Sequence, residues 1–168
     1  SIEKNLHLIV PITVLPIFID IGRFQSAHAG VLAGGFSHFE TRVLVVARLE
    51  KEKNVALAIE SFAQAAPQSA CLIIVGDGSL RHVLERRASL LGLSGRVFFE
   101  GVNDVLPYYA AADLLLVPSL YEGYGIVIVE ALAAGKPVLA TDVGIAREAG
   151  AIVTTPQHFA DALKQWFE

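Results

Sequence analysis

The sequence predicts an α/β domain in which a parallel sheet is covered by helices on both faces. Three observations lead there. The strand-like segments are near-continuous apolar runs rather than alternations, the mark of strands buried on both sides. They alternate with helix-period segments of roughly ten residues, the pattern of βαβ units. Hydrophobic residues make up 54% of the 168 residues and charged residues 18%, a balance that suits a sheet with no solvated face. The length allows one domain with a real core and is too short for two ordinary ones.

Residues 1–40 stand apart, as two apolar strands broken by Pro11 and Pro16 and then a Gly/Ala/Ser-rich connector from Gln25 to Ser37. They read as the remnant of an interdomain hinge, with the domain proper at 41–168. Arg42 to Ala47 is a β-branched strand. Val55 to Ala65 follows as a helix with Val55, Ala58, Ile59 and Phe62 on one face. Cys71 to Val75 is the second strand, ended by Gly76-Asp77-Gly78. Ser79 is placed to cap a helix from Leu80 to Leu91. That helix buries Leu80, Val83, Leu84 and Leu91 and leaves Arg81, Glu85 and Arg86 solvated.

Arg96 to Phe99 is a short strand and Val105 to Ala111 a short helix. Asp113 to Val117 is a buried strand stopped by Pro118. Tyr124 to Ala134 is helical, with Gly135 at its end. Pro137 to Ala140 and Ala151 to Val153 are strands separated by a helical turn at Ala146 to Ala149. Phe159 to Phe167 closes the chain as an amphipathic helix.

Composition narrows the function. The net charge of −4 provides no basic field, so nucleic acid is not an expected partner. Cys71 is the only cysteine and lies inside an apolar run, where it reads as a small buried hydrophobe. The five histidines, His7, His28, His38, His82 and His158, show no ligand spacing, and no metal site is expected. The apolar stretch Leu8 to Ile19 falls short of the roughly 20 residues a spanning helix needs. The chain contains no methionine and opens in mid-pattern, which reads as part of a longer protein.

In open α/β sheets ligands bind beyond the carboxyl ends of the strands, so the loops there are the places to search. After the first strand come Arg48 and, at the next helix start, Lys53. Two cations at a helix N-terminus can clamp a pyrophosphate, or the segment with Glu50 and Lys51 is a solvated run of charge. After the second strand, Gly76-Asp77-Gly78 lacks the third glycine of a dinucleotide fingerprint, since Arg81 stands there. It reads as a tight turn close to a ligand. After the Asp113 strand comes Pro118-Ser119-Leu120-Tyr121-Glu122-Gly123-Tyr124-Gly125-Ile126, with Glu130 further on. The glycines turn the chain into a helix whose first amides attract anions. Carboxylates beside a phosphate repel it, so Glu122 and Glu130 read as acceptors for hydroxyls. A ligand with a phosphate centre and hydroxylated ends, such as a sugar nucleotide, has that pattern. The bland alternative is a capping Glu122 and a surface Glu130.

The segment from Val43 to Gly150 resembles the carboxy-terminal, donor-binding domain of group 1 retaining glycosyltransferases of GT-B fold. Arg48-Leu49 and Lys53 match that family's G-R-L-x-x-x-K loop. Glu122-Gly123-Tyr124-Gly125 and Glu130 match its Glu-x7-Glu signature. Tyr109-Ala110-Ala111-Ala112-Asp113-Leu114 followed by Pro118-Ser119 is similar to its A-D-x-x-x-x-P-S strand, and Leu15-Pro16 with Asp20 and Phe24 to its hinge. Ala47 stands where the family has glycine, Ile145 where it has the second glycine of V-G-G-x-P-E, and Ile17-Phe18 where the hinge has Asn-Gly.

The resemblance implies a Rossmann-like domain, one half of a GT-B fold, that binds a nucleotide-diphosphate sugar for retaining hexosyl transfer. It implies that Arg48 and Lys53 hold the diphosphate with amides near Gly125 and Ile126. Glu130 would take the ribose hydroxyls and Glu122 the transferred sugar. The base would lie against the loops at Gly76, Gly78 and Val102. Glu122, Arg48 and Lys53 are thus the expected catalytic residues, with Gly123 and Tyr124 completing the donor loop. No cofactor beyond the donor and no metal is expected. A sugar, lipid-linked or glycan acceptor would be held by an amino-terminal domain absent from the chain, leaving it able to bind nucleotide but to transfer little. A cytoplasmic location is expected, with contact at the inner face of a membrane left open by the apolar first residues. A non-catalytic nucleotide-binding module and a nucleotide-sugar epimerase of the same architecture are the competing readings.

Overall fold

The computed structural model describes residues 19–26, 35–36, 38–102 and 104–168. The two short strands expected near the amino terminus, and the hinge match at Leu15-Pro16, lie outside them. A short helix, α1 (Ile21–Gln25), was not anticipated; Asp20 caps it by accepting the Arg23 amide at 3.4 Å.

The sheet has six parallel strands: β1 (Thr41–Val46), β2 (Ala70–Val75), β3 (Val97–Phe99), β4 (Leu114–Val117), β5 (Val138–Thr141) and β6 (Ile152–Thr154). Their order is β3-β2-β1-β4-β5-β6, that of a doubly wound Rossmann sheet, whose order reverses between β1 and β4. Between the strands run α2 (Val55–Ala65), α3 (Arg81–Leu90), α4 (Leu106–Ala111) and α5 (Ile126–Ala133), with α6 (Phe159–Phe167) last.

Side chains alternate between two cores because successive residues of a strand point to opposite faces. Val43, Val45, Leu72 and Ile74 pack with Ile59 and Phe62 of α2, Leu84 of α3 and Phe159 and Leu163 of α6. Leu44, Cys71, Ile73 and Val75 pack on the other side with Tyr109 of α4 and Ile128 of α5. Cys71 is buried as expected, and burial pushes its thiol up to about 11, which keeps it protonated and unreactive.

Three local expectations are corrected. Helix α3 buries Leu84 and Ala88, whereas Val83 is 62% exposed and Leu91 is exposed too. Ala88 is small enough to lie against α2 and the sheet, and that face wins. Arg81 is not solvated: it donates to Glu85 Oε1 at 2.9 Å and to the Phe99 carbonyl at 3.1 Å. Helix α5 starts at Ile126 rather than Tyr124, because Gly125 adopts φ +88°, a left-handed conformation that precedes the first helical turn.

Ser79 does not cap α3. Its amide and its hydroxyl donate to the two carboxylate oxygens of Glu50, at 2.9 and 2.7 Å. Those bonds hold the Glu50 carboxyl below its ordinary range and tie the loop after β2 to the loop after β1. A folded-state pKa below the unfolded one gives stability that is present above the ordinary carboxylate range and fades as pH falls through it. Glu50→Gln is therefore expected to lower the urea midpoint at neutral pH, and to narrow its gap to the parent protein near about pH 3. Equal gaps at both pH values would rule the clamp out.

Candidate functional site

Three strand ends meet beside the point where the strand order reverses. Val46, Ala47 and Arg48 leave β1, Val75, Gly76 and Asp77 leave β2, and Glu122 follows β4. With Lys53, Val102, Val105, Ile126 and Val127 they line a cavity of about 340 Å³, within the range of small-molecule sites.

The floor depends on close backbone approach. Gly76 adopts φ +137°, and a Cβ there would lie 1.9 Å from the Ala47 carbonyl oxygen. A Cβ on Gly78 would lie 2.6 Å from the Leu49 carbonyl oxygen. Both glycines make room for the β1 loop, and Gly76 at the same time lines the cavity. The Leu49 amide bonds the Asp77 carbonyl at 2.9 Å, and the Leu80 amide the Leu49 carbonyl at 3.0 Å.

Lys53 reaches the cavity from a single turn of 3-10 helix, Lys51–Lys53. Asn54 follows in the left-handed region at φ 47°, a conformation Asn tolerates, and α2 begins after it. The Lys53 ammonium lies 2.7 and 2.8 Å from the two oxygens of Glu122. Their side chains are only 18% and 10% exposed, so the pair is not part of a solvated charge run. Ser119 donates its hydroxyl to Glu122 Oε1 at 2.7 Å. Thr141 at the end of β5 in turn donates to the Ser119 carbonyl at 2.5 Å. The Leu120 amide donates to the Glu52 carbonyl at 2.8 Å, joining the β4 loop to the β1 loop. Arg48 is mostly exposed and pairs with Glu52 at 2.8 Å.

Helix α5 opens onto the cavity at Ile126 and Val127, where first-turn amides have no intrahelical acceptor and the dipole is positive. Glu130 does not line the cavity. It lies one turn further along α5, at the i+3 and i+4 positions from Val127 and Ile126, hence on the same face. Tyr109 donates its hydroxyl to Glu130 Oε2 at 2.8 Å. Burial pushes the Glu130 carboxyl up, with the Tyr109 bond acting against it. Gly78, Gly123, Tyr124 and Gly125 also lie outside the lining. Gly125 and Gly144 shape the loop instead. The Ile145 amide bonds the Tyr124 carbonyl at 2.9 Å, and a Cβ on Gly144 would lie 2.3 Å from that oxygen.

Sequence patterning thus located Arg48, Lys53, Gly76, Val102, Glu122 and Ile126 at one cavity. It missed Asp77, Val105 and Val127 as lining residues, and Glu50, Ser119 and Tyr109 as the groups that fix it. The Pro118-Ser119 pair carried a signal for Ser119; Tyr109 opened the same family-like stretch without an assigned role, and nothing local marked Glu50. Among the described residues no group of three or more His, Cys, Asp or Glu side chains is placed to hold a metal ion. Nor is any helix among them long and apolar enough to cross a membrane.

The sequence profile of the family described as "Glycosyl transferases group 1" matches residues 40–168. The lipopolysaccharide core biosynthesis mannosyltransferase LpsB of Rhizobium meliloti is 32% identical over 152 residues, covering 82% of this chain and 42% of that protein. Anabaena Alr3699/HepE in complex with UDP superposes at a TM-score of 0.78 and 29% identity, over 89% of this chain and 46% of that one. The same protein in complex with UDP-glucose matches at a TM-score of 0.72 and 32% identity, over 80% and 40% of the two chains. The chain spans less than half the length of the curated relatives it matches.

Proposed function

The chain belongs to the group 1 glycosyltransferases, and from that premise we propose that its cavity binds the nucleotide-diphosphate sugar donor of a retaining hexosyl transfer. The observation that carries the reading is the convergence of Lys53, Arg48 and the start of α5 on one cavity at the strand ends. UDP and UDP-glucose complexes of a relative with the same fold support it.

Transfer of a sugar requires stabilising a nucleoside diphosphate as the glycosidic bond breaks and negative charge grows on its terminal phosphate. Lys53 and the first residues of α5, Ile126 and Val127, border the same cavity, where their positive ends stabilise such charge. Arg48 is in reach on the same rim once it releases Glu52. These groups supply the charge in this proposal, with no metal taking part. Glu122 accepts from hydroxyls of the transferred sugar and Glu130 from those of the ribose. The base lies against Gly76, Asp77 and Val102. The departing phosphate assists the incoming hydroxyl on the same face, so configuration is retained.

The acceptor, a sugar, lipid-linked or glycan hydroxyl, is held by an amino-terminal domain in this reading. The chain alone then binds nucleotide and transfers little. The reaction takes place in the cytoplasm, with membrane contact supplied outside the donor domain. A thermal-shift screen across UDP-, GDP- and ADP-sugars tests the proposal. A rise in Tm confined to one nucleotide series is the expected outcome, since ligands that bind only the folded state stabilise it. No shift with any of them at millimolar concentration would sink the donor-site reading.

A further inference from the structure

We infer that Tyr109 is a positioning residue that fixes the Glu130 carboxylate for its grip on the ribose. The inference rests on the donor-site reading and deepens it.

Tyr109 is wholly buried. Its ring is held edge-on by Phe24 of α1, with centroids 5.7 Å apart, and packs in the core formed by α4, α5 and the sheet. The phenol therefore has no freedom to follow a moving partner. Its hydroxyl is given to Glu130 Oε2 at 2.8 Å and lies 3.5 Å from the Val127 carbonyl.

Among the described residues Glu130 has no other hydrogen-bond partner, while no buried side-chain oxygen there lacks one. Its second oxygen, Oε1, is therefore accessible to solvent. One oxygen is anchored to the core, and the other is presented on the face of α5 that begins at the cavity with Ile126 and Val127. A glutamate on a helix surface ordinarily samples several rotamers. Here a rigid aromatic donor selects one of them before any ligand arrives, which is how a supporting residue raises affinity.

Burial pushes the Glu130 carboxyl up, and the Tyr109 hydroxyl opposes that push. A hydrogen bond from Tyr109 favours the ionised form, whose oxygens accept from a diol.

The test uses the folded chain and two probes: whichever of UDP, GDP and ADP binds it tightest, and the 2′,3′-dideoxy form of that nucleotide. The parent protein is expected to prefer the ribose form. Tyr109→Phe removes one oxygen and keeps the ring, and is expected to weaken the ribose form by about tenfold, the scale of one hydrogen bond to a charged group. The dideoxy form should bind it as before, so the preference collapses. Tyr109→Phe placed on Glu130→Gln should have little further effect on the ribose form, because the two act as one unit.

Weakening of both nucleotides by the same factor, or of neither, would overturn the positioning role while leaving the donor site intact. A parent protein that binds a nucleotide but shows no ribose preference overturns the positioning role and the Glu130 assignment together. Absence of nucleotide binding to the parent overturns the donor-site reading itself. Should Tyr109→Phe melt early, the Glu130→Gln variant alone must still lose the ribose preference for the inference to stand.

Discussion

Lys53→Met is expected to weaken nucleoside diphosphate binding by about thirtyfold or more, from the loss of a charge-assisted hydrogen bond of roughly 2 kcal/mol. The ammonium is the most enclosed cation of the cavity, at 18% side-chain exposure, so its field is screened less than that of an exposed group. Its loss also leaves the Glu122 carboxylate uncompensated beside the incoming phosphates. Both effects have the same sign. Arg48→Met is expected to cost only about fivefold, because Arg48 is exposed, paired with Glu52 and free to be replaced by solvent. Glu122→Gln should move the other way. In the ligand-free arrangement Glu122 occupies two of the three ammonium donors of Lys53. Removing its charge is expected to tighten binding of the bare diphosphate severalfold while abolishing the advantage conferred by an attached sugar. Titrating all three variants with the same nucleotide, with circular dichroism to confirm folding, decides the ranking. Equal losses for Lys53→Met and Arg48→Met would place the diphosphate away from Lys53.

Gly76→Ala is expected to lower the unfolding free energy by about 3–5 kcal/mol, a large share of a typical domain's stability. Two costs combine. The backbone sits at φ +137°, which residues with a Cβ rarely adopt, and the new carbon would fall 1.9 Å from the Ala47 carbonyl oxygen. That atom belongs to the main chain at the end of β1, so relief requires β1 and β2 to separate where both deliver residues to the cavity. Gly92→Ala provides the contrast. Gly92 also has a positive φ, +73°, but a Cβ there meets nothing within 4 Å. Only the left-handed penalty applies, about 1–2 kcal/mol. Urea unfolding of the two variants should differ by at least about 1 kcal/mol; similar losses would mean that the β1 and β2 loops yield easily.

The alternation of elements was legible because strands buried on both faces leave unbroken apolar runs, as in Cys71 to Val75, and because α2 repeats Val55, Ala58, Ile59 and Phe62 at helical spacing. The meeting of Lys53 with Glu122, 69 positions apart, was legible only through the chemistry each loop carried and the rule that strand ends gather ligands. The face of α3 was not. Val83 and Leu84 are adjacent and equally apolar, and which of them is buried depends on where Ala88 finds room against its neighbours. The clamp between Glu50 and Ser79 was hidden for a related reason. Ser79 stands at a helix start, where its hydroxyl ordinarily caps, and a carboxylate 29 positions away took the bond instead. Gly76 and Gly78 signalled close approach correctly, but what approaches is the neighbouring loop of the same chain.

A calorimetric titration of UDP, GDP and ADP into the folded chain tests the donor site most directly. At least one of them is expected to bind with a Kd below about 1 mM, and Lys53→Met to weaken that binding about thirtyfold. Absence of heat from all three, with the protein shown to be folded, would contradict the donor site.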